Sequence, residues 1–174
     1  MNRITTPLLA AALTLLAGCN GSDQDAAAGT NTGTGHSTPP AAWILTSAPE
    51  GAVSVSEAKA NAKEGDLISI HGRIGGRVDP MSPDSPVFTI VDLQLEYCGQ
   101  HTDDACTTPW DYCCETPETI GSNTATVQLV SDSDINPTTS LEPLDEVILQ
   151  GTVGPRPNER VLTIRATGVY PIEG

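Results

Sequence analysis

The chain has 174 residues, 22 acidic against 8 basic, for a formal net charge of −14 at pH 7. Such an excess repels phosphate backbones and anionic head groups, so a nucleic-acid partner is not expected, whereas cationic ligands and metal ions are easier to accommodate. The length allows one modest domain once the ends are set aside.

The first element is a leader. "MNRITTPLLAAALTLLAGC" carries a positive residue, Arg3, then an apolar run at 8–16 that is too short to span a bilayer. It closes on Leu16-Ala17-Gly18-Cys19, which resembles the lipobox of bacterial lipoproteins, cut before the cysteine and lipidated on its thiol. The expectation is therefore a signal peptide over 1–18, a lipid anchor on Cys19 and a place in the bacterial cell envelope, facing the periplasm or the exterior. Residues 1–18 hold one charged side chain, Arg3, so their removal takes the charge from −14 to −15. Residues 19–42 are Gly, Ser, Thr, Asn, Ala and Asp for most of their length, with no large apolar residue between Asn20 and Pro40. Such a stretch cannot offset its ordering entropy and reads as a flexible tether.

The folded part is expected over 43–174. "SVSEAKANAKEG" predicts a short helix, with Ser54 or Ser56 as cap and Gly65 as terminator. "DLISIHGRIGG" then shows apolar residues at 68, 70 and 74 with polar ones between, the period of a half-buried strand. Further β-type runs follow at "VFTIVD" (87–92), "TATVQLV" (124–130), "DEVILQGTV" (145–153) and "RVLTIRATGVY" (160–170), with Pro and Gly between them. Five strands in one small domain predict an all-β barrel or sandwich. Two of the runs echo each other: Asp66 precedes Gly72 by the same spacing as Asp145 precedes Gly151, each ending in G-x-[IV]-G. A glycine inside a strand marks a bulge or the corner of a small barrel.

The connection over 94–121 holds "YCGQHTDDACTTPWDYCCE" and four of the five cysteines: Cys98, Cys106, Cys113 and Cys114. An even number outside the cytoplasm favours disulfides. Neighbours Cys113 and Cys114 would close a strained ring together, so each is expected to pair outward. Two connectivities remain, 98–113 with 106–114 or 98–114 with 106–113. Closing a loop of about 15 residues stabilises by about 3 kcal/mol in the chain-entropy model, and Trp110 and Tyr112 are placed to pack the pinned loop on the barrel. The alternative is a soft-ligand site for zinc or copper built from Cys98, His101, Cys106, Cys113 and Cys114, with Asp103 and Asp104 in the same loop. The spacing lacks the C-x2–4-C knuckle of structural zinc sites and the C-x-x-C of thioredoxin-type redox centres. A vicinal or strained disulfide would still permit redox sensing.

The strand set "GDLISIHGRIGG", "VFTIVD", "LDEVILQGTV" and "VLTIRATGVY" resembles an OB-fold (oligonucleotide/oligosaccharide-binding) domain. Together with "CTTPWDYCCE" the chain is similar to uncharacterised lipoproteins or secreted proteins of planctomycete-type bacteria. The resemblance covers about residues 53–171 and implies a five-stranded OB-like barrel, with the cysteine segment inserted between the second and third strands. It implies no reaction, since fold does not carry function.

Enzyme constellations are missing from the sequence. His36 lies in the tether, His101 in the cysteine loop, and His71 beside Ser69 and Arg73 on one strand face. None stands with a nucleophile in a recognisable pattern, and there is no phosphate-binding glycine loop. For single-stranded nucleic acid the strands offer only Phe88 and Tyr170 as aromatics, with Arg73, Arg160 and Arg165 as cations. The expectation is a non-catalytic, lipid-anchored module whose partner is an envelope protein or a small ligand, with no cofactor unless the thiols hold metal.

Overall fold

The computed structural model describes residues 41–101, 105–130 and 135–172. The leader, Cys19, the tether as far as residue 40, and Asp103 and Asp104 lie outside these ranges. Among the described residues no helix is long and apolar enough to cross a membrane.

In chain order the elements are β1 (Val53–Ser54), α1 (Val55–Asn61), β2 (Leu67–Ile74), β3 (Met81–Ser82), β4 (Ser85–Val91), α2 (Pro117–Asn123), β5 (Thr124–Leu129), β6 (Glu146–Val153) and β7 (Thr163–Pro171). The strands run in the order β1-β2-β6-β7-β5-β4-β3, and β2 also pairs with β4, which closes β2, β6, β7, β5 and β4 into a barrel. Only one junction within it is parallel, β5 beside β7; the other four are antiparallel. Three sequential strands joined as a meander, closed by a hairpin whose last strand lies parallel to the third, give the topology of an OB fold, with β1 and β3 as short outer strands. The five barrel strands are those expected from alternation, and the cysteine segment leaves between β4 and β5 as expected.

Alternation decides which side chains fill the barrel. Ile70 and Ile74 of β2, Phe88 and Ile90 of β4, Ala125 and Val127 of β5, Val147 and Leu149 of β6, and Ile164 and Ala166 of β7 are all buried in one core cluster. Residues between them, such as Gln128, Gln150 and Arg165, face solvent. Trp43 joins the same core at 5% exposure. Its carbonyl accepts from the Val169 amide at 2.8 Å while Leu45 donates to the Val169 carbonyl, so the chain before β1 runs along β7.

The aspartates of the echo are a repeated structural device, whereas a register shift accompanies Gly151 and not Gly72. Asp66 Oδ2 accepts the amide of Lys63 at 2.8 Å, and Asp145 Oδ2 accepts the amide of Glu142 at 2.8 Å. The residue before each aspartate, Gly65 or Leu144, has positive φ. Across the β2–β6 ladder the Asp66 carbonyl accepts from Val153, and the Asp145 carbonyl from Ile74. Two antiparallel strands thus start by the same four-residue turn, closed by the amide and side chain of its last residue, an aspartate, and lock each other's far ends. The register of β6 against β7 shifts between Gln150 and Gly151. A Cβ at 151 would collide with the Arg165 carbonyl, so only glycine lets the two backbones approach there.

The helix boundaries need correction. Ser54 is the N-cap, accepting the Glu57 amide at 3.1 Å. The helix then ends at Asn61, well before Gly65. Arg156, from the connection between β6 and β7, stops it by donating to the carbonyls of Lys59 and Ala62. Gly65 serves the turn into β2 instead. Replacing Ser54 by Ala is expected to cost about 1 kcal/mol, measured as a shift of the urea unfolding midpoint at unchanged m-value.

Candidate functional site: the cysteine cluster

The insertion between β4 and β5 is ordered by local rules. Thr108-Pro109-Trp110-Asp111 forms a single 3-10 turn over Pro109–Asp111, with Pro at its start. Asp111 closes it: one carboxylate oxygen accepts the Thr108 hydroxyl at 2.9 Å and the other accepts the Cys113 amide at 2.8 Å. Tyr112 between them adopts the left-handed conformation, φ 58°, which reverses the chain and sends its side chain inward. Thr116 and Pro117 then start α2, the threonine hydroxyl accepting the Thr119 amide at 3.1 Å.

Two aromatics dock this loop on the barrel. The Trp110 indole donates to the Val78 carbonyl at 2.8 Å, and the Trp110 carbonyl accepts the Gly76 amide at 2.8 Å. Tyr112 is fully buried, the largest such side chain among the described residues. Gly75, at the end of β2, makes room for both, since a Cβ there would lie 2.6 Å from the Trp110 carbonyl and 2.9 Å from the Tyr112 ring. The Tyr112 hydroxyl lies beside Arg73 and, among the described residues, makes no hydrogen bond of good geometry. Burial pushes its pKa above the ordinary phenol value, with Arg73 opposing. Arg73 itself spans three elements: it leaves β2, donates to Glu146 Oε1 of β6 at 2.6 Å, and lies 4.9 Å over the Tyr97 ring of the insertion.

This docking gathers the sulfurs. Cys98 is buried, 2% exposed, and its Sγ lies 3.1 Å from Cys114 Sγ and 3.5 Å from Cys113 Sγ. Cys106 Sγ lies 3.8 Å from Cys113 Sγ. Ligand atoms of Cys98, Cys106, Asp111 and Cys113 all fall within 4.8 Å of one another. The electrostatics follow from burial and donors. Burial works against a Cys98 thiolate, but donors on Cys114, Cys113 and Cys106 outweigh it, and the Cys98 pKa falls below the usual thiol value. The Cys113 thiol moves the other way: its hydrogen bonds with the sulfurs of Cys98 and Cys106, and then the nearby Asp111 carboxylate, hold its proton on.

All four cysteines named from the sequence therefore meet in space. No disulfide joins them; the Cys98–Cys114 separation of 3.1 Å is well beyond the bond length of about 2.05 Å in a disulfide. The two sequence-expected bonds are not formed in this structure. His101, the remaining alternative ligand, does not join the group: its Nε2 faces Glu96 Oε2 at 3.1 Å on the exposed side of the loop. Asp111 was not picked out from the sequence. Its signal was an aspartate two residues ahead of a cysteine after a Pro-containing turn, the pattern of an Asx turn. Of the residues weighed for base stacking, Phe88 faces the core at 1% exposure and Arg73 is engaged by Glu146.

No family model and no curated relative matches the chain. Among solved structures it is similar to the hypothetical protein ygiW from E. coli, at 16% identity and a TM-score of 0.38, over 71% of this chain and 94% of that one. The OB assignment stands on the strand order and on the parallel β5–β7 junction.

Proposed function

We propose that this is a non-enzymatic module, held to a bacterial envelope membrane through Cys19, whose working part is a thiophilic metal site. Cys98, Cys106, Cys113 and Cys114 supply the ligands, and the ion is zinc or copper(I). The observation that carries this reading is the gathering of sulfurs about buried Cys98, with Cys114 at 3.1 Å and Cys113 at 3.5 Å from it and Cys106 at 3.8 Å from Cys113. A tetrahedral ion with metal–sulfur bonds of about 2.3 Å holds its ligands about 3.8 Å apart, close to the Cys98–Cys113 and Cys106–Cys113 separations, while Cys114 lies outside the group whose ligand atoms fall within 4.8 Å of one another and would turn in to complete the set. Soft thiolates select zinc or copper(I) over hard cations. The acidic surface raises the local concentration of any cation. Asp111 has both oxygens committed to Thr108 and Cys113, so it serves the site by fixing the turn and the Cys113 amide.

The test is metal and thiol content of the full chain isolated without oxygen. About one equivalent of zinc or copper per chain is expected, with all four thiols open to alkylation once the ion is chelated. Cys98→Ser is expected to lower the bound metal at least tenfold, since it removes the central ligand. Metal-free protein that gains two hydrogens per bond on reduction would overturn the reading in favour of a disulfide staple.

A further inference from the structure

We propose a second, independent site: the open pocket between α1, the end of α2 and the connection 154–162 takes a small soluble oxyanion, a phosphate or carboxylate group. In a chain of net charge −14 with only 8 basic residues, three of those residues, Lys59, Arg156 and Arg160, line this one cavity of about 650 Å³. Ser56, Ser122 and Asn158 add neutral donors, and Glu159 is the sole acidic side chain on its wall.

Lys59 is 9% exposed. Its ammonium donates to the carbonyls of Gly121 at 2.7 Å and Arg160 at 2.6 Å, which leaves one N–H over. The Arg156 guanidinium donates to the carbonyls of Ala62, Lys59, Glu159 and Val161, and of its five N–H groups one is again left. Among the described residues, no carboxylate lies within 4.0 Å of either cation. Two neighbouring positive charges are thus compensated by carbonyl dipoles alone. Burial, then the nearby Arg156 charge, lowers the Lys59 pKa. Arg160, on the rim, is 78% exposed and lies 3.6 Å from an equally exposed Glu118, so its guanidinium is free to swing over a ligand. An oxyanion presents several acceptor oxygens at once and neutralises the pair. The negative field of the rest of the molecule keeps extended polyanions and anionic bilayers away, which selects for small anions, and the cavity is of small-molecule size.

The experiment is isothermal titration of the full chain with inorganic phosphate and with citrate at low ionic strength, against a sodium chloride control. A one-to-one saturable isotherm is expected for at least one of them. Arg160→Gln should weaken it about fivefold, the effect of one exposed charged contact. Ser122→Asp, at an exposed helix position, should abolish it by placing a carboxylate in the pocket, with the thermal midpoint unchanged. Arg165→Gln, on β7 outside this pocket, should leave it intact. Affinities equal in all variants would overturn the proposal, as would the absence of saturation. Co-sedimentation with phosphatidylglycerol vesicles that Arg160→Gln abolishes, with no binding of free phosphate or citrate, would overturn the assignment to a soluble anion.

Discussion

Tyr112→Ala is expected to destabilise the protein by about 3–5 kcal/mol, the range for deleting a large buried ring, and to scatter the thiols. Tyr112 is fully buried, yet it comes from an insertion whose neighbouring side chains Cys113 and Cys114 are exposed. The ring therefore acts as the peg by which the loop is fixed to the end of β2, against Gly75. Without it the Trp110 contacts to Val78 and Gly76 would hold one side of the loop only. Tyr112→Phe sharpens the test. Among the described residues the hydroxyl makes no hydrogen bond of good geometry, and Arg73 beside it keeps Glu146 as acceptor when it is removed, so stability should change by less than about 1 kcal/mol. Urea unfolding gives the energies. The alkylation rate of Cys98, buried in the native protein, reports the loop and should rise strongly in the alanine variant alone. Equal losses in both variants would mean that the hydroxyl, and not the ring, does the holding.

Asp92→Ala is expected to cost about 3–4 kcal/mol. Asp92 follows β4 directly and is 1% exposed. Oδ2 accepts the Ser56 amide of α1 at 2.7 Å and Oδ1 accepts the Gln94 amide at 3.0 Å. Its own amide donates to the Asn123 carbonyl at the end of α2. One carboxylate thus joins both helices and the entry to the insertion, and hydrogen bonds to a charged group are worth about 1.5–3 kcal/mol each. Burial alone would raise its pKa, but the amides of Gln94 and Ser56 and the hydroxyls of Ser56 and Ser54 outweigh it, and the folded-state value is depressed. A depressed value means the stabilisation is fully present above the unfolded pKa of about 3.9 and is lost as pH falls through the folded one. The gap between wild type and Asp92→Asn should therefore be constant from about pH 7 to 5 and narrow below pH 4. Urea unfolding at three pH values checks this; a gap that widens in acid would show that burial governs the carboxylate.

How much of this was legible follows from the range of each interaction. The barrel strands were readable because alternation, as at Ile68, Ile70 and Ile74, is a local consequence of one buried face. The echo of Asp66 and Asp145 was visible in the sequence but pointed to the strand glycines, because the turns that the aspartates close, Lys-Glu-Gly-Asp and Glu-Pro-Leu-Asp, share only the aspartate. The outer strands β1 and β3 are two residues each and exist only through partners elsewhere, Val53 against Ile70 and Met81 against Phe88, so no period announces them. α2 had its signals, a Thr-Pro-Glu start, but they sat in a stretch read as loop because of its cysteines. The end of α1 was misplaced because Arg156, far along the chain, supplies the stop. The cysteines were recognised as a group from their even number. Their meeting at Cys98, and the departure of His101 to Glu96, depend on the inward turn at Tyr112, which needs the space at Gly75 and cannot be read from spacing.

The ladder that joins Leu67 to Thr152 and Arg73 to Glu146 sets a kinetic order. β2 waits for a strand from the far end of the chain, and β5 waits for β7, itself paired on both sides. Loop-closure entropy must be met before either pairing gives anything back, so high contact order and folding in the millisecond-to-second range follow. During that interval both strands carry open edges, the species most exposed to strand-to-strand aggregation. A chain shortened before Thr163 would lose β7 and leave β5 and β6 with open edges permanently.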